Sequence, residues 1–513
     1  MQCKVDRVIR ESAGVAKGRK LMVLRMRVAV PVLLAVGLAG CAVGPDFQRP
    51  AAPAATGFLA AGRDDAAGRG TGLQLAHGGE VPAQWWALFR APSLDRLVRD
   101  GVAHNADLAA AEAAVRLARA NALAQRGALL PTVDLGLDAS RQKVPVAFDP
   151  EAPEAGPAAR YGVVTRQVSV AFVPDVWGGL RRQVEASDAE VEAQAFQREG
   201  VYLTLAANIA LAAIEEARLR GQLAATRRIV ALQQDLLRML QRQHVQGQIA
   251  RAEVLAQETA LAQVQLALPP LERELAQQRH LLAVLTGRLP SDPGLPRFEL
   301  AAFGLPRQLP LSLPGDVVRQ RPDIRTAEAG LRAANAEIGV AIANRLPQIT
   351  LSANAGKTWS NVPDLSPSGA FWAVGGNLAQ KVFDAGTLAY KQRAAEEAAQ
   401  QALAQYRGVV LTAFQNVADV LVALQADLRT IAAARRAKQA AEQTVGLMRR
   451  QLEQGEINLA LLIEAQRAYL ETSTALVDAE AARLADTVAL FQALGGGWWN
   501  RNDGEGRLAE TQL

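Results

Sequence analysis

Cysteine is close to absent: the 513 residues contain Cys3 and Cys41 and no other. Cys3 falls inside a removable leader and Cys41 at its end, so a disulfide framework is excluded even in an oxidising compartment. Histidine is as scarce. His77, His104, His244 and His280 are scattered, and no H-x-x-x-H, C-x-x-C or G-x-S-x-G constellation occurs. No catalytic residue, metal ligand or cofactor is therefore assigned, and an enzyme is not expected. Nothing resembles a phosphate-binding loop, so any transport is driven from elsewhere. Five Met and four His give no support for handling soft metals. Long apolar runs are missing too. After the leader the longest, Val201–Ile214, contains Asn208 and closes on Glu215-Glu216. A spanning helix needs roughly 20 apolar residues, so any crossing of a membrane is expected to use β-strands. Net charge is also lacking once the leader is set aside. Residues 1–40 hold eight of the 56 Lys and Arg and two of the 51 Asp and Glu, leaving 48 basic and 49 acidic side chains. The basic balance belongs to the leader and gives no reason to expect nucleic acid as a partner.

What is present begins with Leu38-Ala-Gly-Cys41, preceded by the apolar run Val28–Leu38 and by Arg25 and Arg27. The run is too short to span a bilayer and has the length and basic flank of a secretory signal. Small residues followed by Cys are the processing signal of a bacterial lipoprotein. Residues 1–40 are read as the signal peptide, Cys41 as the lipidated (palmitate-bearing) first residue, and Ala42 onward as periplasmic. The stretch before Met22 is long for a signal, so translation is expected to start at Met22 or Met26. The bland alternative is a chance cysteine in an ordinary signal peptide.

The mature chain repeats itself. Asn105-Ala-Asp-Leu-Ala-Ala-Ala-Glu112 lies over Arg321-Pro-Asp-Ile-Arg-Thr-Ala-Glu328, Leu130-Pro131 over Leu346-Pro347, Gln246-Gly-Gln-Ile249 over Gln454-Gly-Glu-Ile457, and Leu285-Thr-Gly287 over Leu494-Gly-Gly496. Each copy opens with a helical period, from about Leu94 to Leu129 and from about Pro314 to Arg345. The period then changes to two. Val133, Leu135, Leu137 and Ala139 alternate with Thr132, Asp134, Asp138 and Ser140, and Ile349, Leu351, Ala353 and Ala355 with Thr350, Ser352 and Asn354, the pattern of strands with one apolar and one polar face. A Pro-rich loop and a less regular return strand follow. A helical period then holds for about 65 residues to Gly247 and to Gly455, both expected C-caps, before a second long helix ends near Leu285 and Leu494. Gly200 and Gly221 are weak points, read as bends or as simply tolerated in the helix. The boundaries are residues 41–93 for an N-terminal segment, 94–288 for the first repeat (strands about 132–141 and 165–173), 289–314 for a linker, 315–496 for the second repeat (strands about 348–357 and 371–382) and 497–513 for a tail.

The fold class is mainly α with a small β part, internally duplicated, with long helical hairpins and four strands per chain. Four strands cannot close a barrel, since the smallest membrane barrels have about eight. An open sheet in lipid leaves edge groups unsatisfied at several kcal/mol each. Strands that cross a membrane here must therefore share a barrel with other chains. The bland alternative is a soluble dimeric coiled coil with two hairpins, which does not account for the duplication, the alternating runs and the lipid signal together.

The chain resembles the outer-membrane efflux proteins of the TolC type, in particular the lipoprotein branch (OprM-like, NodT-like) that serves resistance-nodulation-division pumps. The resemblance rests on Cys41-Ala-Val-Gly-Pro-Asp46, Trp85-Trp86 with Leu94-Asp95, Arg321–Glu328, Ala336-Glu-Ile-Gly-Val-Ala341, Leu346-Pro347, Phe383-Asp-Ala-Gly386 and Leu494-Gly-Gly-Gly-Trp498. It implies a homotrimer with a shared twelve-stranded barrel in outer-membrane lipid, a periplasmic helical tunnel, and an equatorial belt from both terminal segments and the linker. A periplasmic adaptor (membrane fusion protein) and an inner-membrane pump would be the partners. It also implies a closing iris at the helix turns, with Gln246, Gly247, Gln248, Gln454, Gly455 and Glu456 as candidate adaptor contacts. Glu253 and Glu464 would be gate-ring carboxylates, and Leu461 stands where some members carry a further one. Simple C-caps and exposed helix carboxylates are the bland alternatives. Asn416 and Asp419 are read as polar groups between helices or in the tunnel wall, and Trp85, Trp86, Trp498 and Trp499 as belt packing or interface anchors. The implied function is a passive exit duct for drugs or other small molecules. The same fold exporting proteins or metal ions, or a lipid-anchored coiled-coil adaptor without a pore, are the rivals.

Overall fold

The computed structural model describes residues 42–55, 57–59, 74–144, 159–305, 308–360 and 368–501, so Cys41 and the leader lie outside the described residues. Two compact units are formed. One gathers the chain up to Gln48, Arg119–Ala189 and Leu331–Gln401; the other gathers Arg49–Ala118, Glu190–Gly330 and Ala402 onward.

The first unit holds a four-stranded antiparallel sheet of β2 (Thr132–Val144), β3 (Ala159–Phe172), β5 (Gln348–Ser360) and β6 (Ser368–Ala379), in spatial order β2-β3-β5-β6. Each strand runs a few residues further toward its connecting loop than alternation alone suggests, because cross-strand pairing continues past the apolar stretch, as in Val144↔Ala159 and Trp359↔Ser368. The two long helices that leave the sheet, α3 (Gly179–Val245) and α8 (Thr387–Glu453), have 67 residues each, or about 100 Å at 1.5 Å per residue. Both start on an aspartate. Asp175 accepts from the N–H groups of Leu180 and Arg181, each at 2.9 Å, and Asp384 from those of Gly386 and Leu388, each at 2.9 Å. These carboxylates satisfy first-turn donors and face the positive end of the helix dipole.

The second unit carries the main core. Trp85, Trp86 and Phe89, on a 3₁₀ turn, are buried with Leu94, Leu97 and Val98 of α1 (Pro92–His104). They pack against Ile209 of α3, Leu282 of α5 (Leu268–Leu285) and Phe491 of α9 (Leu459–Ala493). Trp85 stacks on Phe491 at 5.3 Å, and the Trp86 indole N–H donates to Asp95 at 3.1 Å. Trp85 and Trp86 are therefore core residues. Trp498 is half-buried, donates to the Gln320 carbonyl at 2.7 Å and meets Phe196 edge-on. A short parallel pair, β1 (Gln74–His77) with β4 (Gln308–Leu311), joins the N-terminal segment and the linker, where no strand is expected from the sequence; four-residue strands are too short for alternation to reveal.

Three further expectations are corrected and one open alternative is decided. The opening helix of each repeat is two helices: α1 and α2 (Ala106–Gly127), then α6 (Pro314–Gln320) and α7 (Pro322–Ala343). The breaks fall at the aligned positions Asn105 and Arg321, and both tie back to the end of the same repeat's last helix. The Asn105 amide caps α2 and donates to the Leu285 carbonyl at 3.2 Å; the Arg321 guanidinium donates to the Ala493 carbonyl at 2.8 Å. Second, the returning helix of the first repeat is interrupted between α4 (Arg251–Gln265) and α5, because Pro269 and Pro270 offer no N–H and fit only a first turn. Third, α3 runs unbroken through Gly200 and Gly221. The latter is a close approach, since a Cβ there would sit 2.9 Å from Val477 Cγ1. Fourth, α3 and α8 each contain an 18-residue stretch long and apolar enough to cross a membrane; 61% of it is buried in α3 and 28% in α8. An apolar helix face left this bare needs a neighbour.

Replacing Trp85 by Ala removes the centre of this core and is expected to cost about 3–5 kcal/mol. The readout is the midpoint of thermal unfolding in detergent followed by circular dichroism, and an unchanged midpoint would contradict the packing described.

Candidate functional site: sheet faces and helix turns

Residues directly opposite one another share a face, so the register sorts the sheet. One face carries Val133, Leu135 and Leu137 beside Val170, Val168 and Arg166, then Ala353, Ala355 and Lys357, then Val374, Trp372 and Ala370. The other carries Asp134 and Asp138 beside Ser169, Gln167 and Thr165, then Ser352, Asn354 and Thr358. The apolar face is bare: Leu135 is 82% exposed and Trp372 78%. A contiguous apolar surface on this scale marks contact with a membrane or another protein. The edges β2 and β6 each pair on one side only among the described residues.

Cys41 itself is outside the described residues, but the segment that follows it is firmly seated in the same unit. The Val43 N–H donates to the Trp177 carbonyl at 3.0 Å. Arg182, 7% exposed, donates to the carbonyls of Val43 and Gly44 and to Asp46 at 2.7 Å, and pairs with Glu185 at 2.8 Å. Burial works against the charge of Arg182, and the bonds to Asp46 and Glu185 outweigh it, so its pKa is raised. Gly44 has φ +99 and a Cβ there would lie 2.5 Å from Gly339 Cα, so glycine is required on both counts. Trp177 in turn donates to the Pro347 carbonyl at 2.7 Å, which puts this seat at the helix-bearing end of the sheet.

In the second unit the candidate turn residues are brought together. Gln248 and Gly247 donate to the carbonyls of Gln243 and His244, and Glu456 and Gly455 to those of Gln451 and Leu452, all at 2.9–3.1 Å. With φ +74 and +75 at the glycines, each is a Schellman cap. The C-cap reading of Gly247 and Gly455 therefore holds, while Gln246, Gln248, Gln454 and Glu456 are exposed around them. Leu236 and Leu240 of α3, Val254 of α4, and Leu459 and Leu462 of α9 form one small buried cluster with Ile249 and Leu452 packed against it. The two turns of the duplicated chain thus share an apolar tip. Glu253, in the first turn of α4, and Glu464, on α9, are both exposed beside this cluster, as is Leu461, half-exposed at 50%. Asn458 caps α9 through its side chain, at 3.2 Å from the Leu461 N–H. A cavity of about 440 Å³ lies next to the cluster between α3, α8 and α9; Arg228, Arg238, Arg242 and Arg449 line it with Asp235 and Glu442. Asn416 and Asp419 are exposed on α8.

One group went unnoticed in the sequence because its members are distant along the chain. Asp427 of α8 and Asp486 of α9 are neighbours, and burial first, then the Asp486 charge, pushes the Asp427 carboxyl up to about 7. Arg483 beside them is lowered, chiefly by burial. No cluster of metal-ligating side chains occurs among the described residues.

The family model described as outer membrane efflux protein matches residues 97–288 and 313–496. The chain is 28% identical to the pyoverdine export outer membrane protein OpmQ of Pseudomonas aeruginosa, over 93% of this chain and 98% of that one. It is 29% identical to the toluene efflux pump outer membrane protein TtgF of Pseudomonas putida, over 91% and 96%. The fold superposes on the outer-membrane channel OprN with a TM-score of 0.79 at 25% identity, covering 89% of this chain and all of that one.

The raised Asp427 pKa sets a pH dependence. A carboxyl whose folded pKa lies above its unfolded value favours the native state at low pH, and this contribution is lost as pH rises from about 4 through about 7. Asp427→Asn, which stays neutral, is expected to unfold at the wild-type temperature near pH 3 and above it near pH 8. Equal midpoints at both pH values would refute the shift.

Proposed function

The chain belongs to the outer membrane efflux protein family, and from that membership we propose that it works as a homotrimer whose three sheets close into one twelve-stranded barrel. It is an outer-membrane exit duct of an efflux system, mainly helical with a small β part. The observation that carries the trimer is the four-stranded sheet with a bare apolar face and two unpaired edges. Thirteen residues of β2 extend about 43 Å, which at a 45° tilt covers an apolar band of about 25 Å. Two copies would give eight strands, an interior that side chains alone fill. Three leave a lumen, lined by the Ser, Thr, Asn, Gln and Asp side chains of the other face. The bare apolar side chains of α8, with Leu411 69% and Val422 52% exposed, are then covered by a neighbouring copy.

Cargo reaches the duct from an inner-membrane resistance-nodulation-division pump through a periplasmic adaptor that grips the turns at Gln246, Gly247, Gln248, Gln454, Gly455 and Glu456. Three copies each of Glu253 and Glu464 make a cation-attracting ring at the tips; Leu461 leaves that ring less acidic than a third carboxylate would. The cargo is a drug or other small molecule, in keeping with relatives named for pyoverdine and toluene. Cys41 carries lipid, since residues 42–46 are held at the helix-bearing end of the sheet, where the periplasmic leaflet of a barrel's membrane would begin.

Planar-bilayer conductance of the detergent-purified protein, with its mass measured in the same detergent, tests the duct. Discrete channels from a trimer are expected. A monomer or dimer that stays silent, also as E253Q/E464Q, would overturn the reading. The same double variant should shift cation over anion permeability toward unity; unchanged selectivity removes both carboxylates from the gate. C41S should abolish incorporation of labelled palmitate, and persistent labelling would place the lipid elsewhere.

A further inference from the structure

The bare face of the sheet is apolar only part of the way along the strands. In the row Leu137, Arg166, Lys357 and Ala370, the two central residues are like charges directly opposite one another on β3 and β5, and both are exposed. Opposite Cβ atoms in such a pair are about 5 Å apart, and like charges there destabilise a sheet. Nothing on that face offsets them. Arg141 and Lys143 share it, further along β2 and also exposed, and the register puts no Asp or Glu there among the described residues; Asp134 and Asp138 point to the reverse face. The Arg166 guanidinium lies 4.9 Å from the ring centre of Trp359, its diagonal neighbour. That stacking orients the planar fork while leaving its N–H edges available.

The height of the row is informative. From Ile349 to Lys357 is eight residues, about 27 Å along the strand, or about 21 Å across the membrane at a 40° tilt, close to the top of an apolar band of about 25 Å. The helices join the sheet at the Ile349 end, and the connections through residues 145–158 and 361–367 join the strands at the other. With the helices in the periplasm, the cations stand at the outer leaflet's headgroup level.

We propose that Arg166 and Lys357, with Arg141 beyond them, form a site on the lipid-facing wall for the phosphate of an outer-leaflet glycolipid of the lipid A class. A phosphate monoester between the two cations accepts charge-assisted hydrogen bonds from both, and the acyl chains of the glycolipid lie along Leu135, Val168 and Trp372 in the row below. The inference rests on the barrel reading.

Native mass spectrometry of the detergent-purified full chain tests it, with lipid A, phosphate-free lipid A and phosphatidylethanolamine as added probes. The wild-type assembly should retain lipid A, and R166Q/K357Q should lower retention about tenfold, a loss typical of removing charge-assisted bonds. R166K/K357R should recover most of it, and D134N/D138N, on the reverse face, should leave it unchanged. Equal retention by wild type and R166Q/K357Q, or of phosphorylated and phosphate-free lipid, would overturn the proposal. So would displacement by millimolar inorganic phosphate, which would identify a site for free phosphate. The same spectra give the mass of the assembly: the absence of a wild-type trimer sinks the barrel reading, whereas an intact wild-type trimer without bound lipid A sinks only the lipid site.

Discussion

The structure depends on one constraint: a β-sheet that meets lipid must pair every backbone group. The four strands of this chain satisfy one another internally and leave β2 and β6 open. In water an open edge is managed with charge, proline or a short strand. Here both edges carry 12–13 residues of extended backbone, and although β2 bears Asp134, Asp138, Arg141 and Lys143, one face of the sheet exposes Leu, Val and Trp over much of its length. In hydrocarbon each unpaired group costs several kcal/mol, so the proposed closure has the edges bind each other across copies. The alternation of the strands, the bare face of α8 and the seating of residues 42–46 near the helix-bearing end of the sheet make sense together only when that closure is met.

Duplication is the second organising fact, and it is conserved as geometry more than as chemistry. The helix break after the first element of each repeat falls at matched positions, and the side chain there ties to the repeat's final helix. Asn105 does so as an amide that also caps α2, and Arg321 as a guanidinium held by Asp323 at 2.6 Å. Both 67-residue helices begin on an aspartate and end on a Schellman glycine. The symmetry fails where proline intrudes. Pro269-Pro270 interrupts the returning helix of the first repeat, whereas α9 runs 35 residues without a break.

Much of this was readable because period and punctuation are local signals. The switch from helical to two-residue period gave the strands, and Gly247 and Gly455 the turns. What escaped notice was either too short or too distant. The β1–β4 pair is four residues long and joins segments more than 230 positions apart. The breaks at Asn105 and Arg321 were hidden inside a continuous helical period, although Arg321-Pro322 is a pair that disfavours helix. The Asp427–Asp486 contact needs two helices folded side by side before it exists. Among the site residues, the cap geometry of the turns followed from sequence. The proposed bearing of Glu253 and Glu464 on a pore did not, because a ring of charge would belong to three chains and one chain shows only an exposed carboxylate.

The same physics decides where the duct can move. Around Trp85 and Phe491 the core is broad and aromatic, and opening it would expose several of the largest side chains in the protein. At the turns the buried cluster is Leu236, Leu240, Val254, Leu459 and Leu462, flanked by a cavity of about 440 Å³ lined with arginines. Few apolar contacts and a neighbouring void are attributes of the low-stability end of a structure, from which moving parts are drawn; of the lining arginines, Arg238, Arg228 and Arg449 are paired with Asp235, Glu442 and Glu453. In the proposed barrel the other end is held by closed strand pairing and has no such freedom. Its wall would be lined by polar side chains such as Ser169, Gln167 and Asn354, and that contrast with the loosely packed turns favours control at the tips.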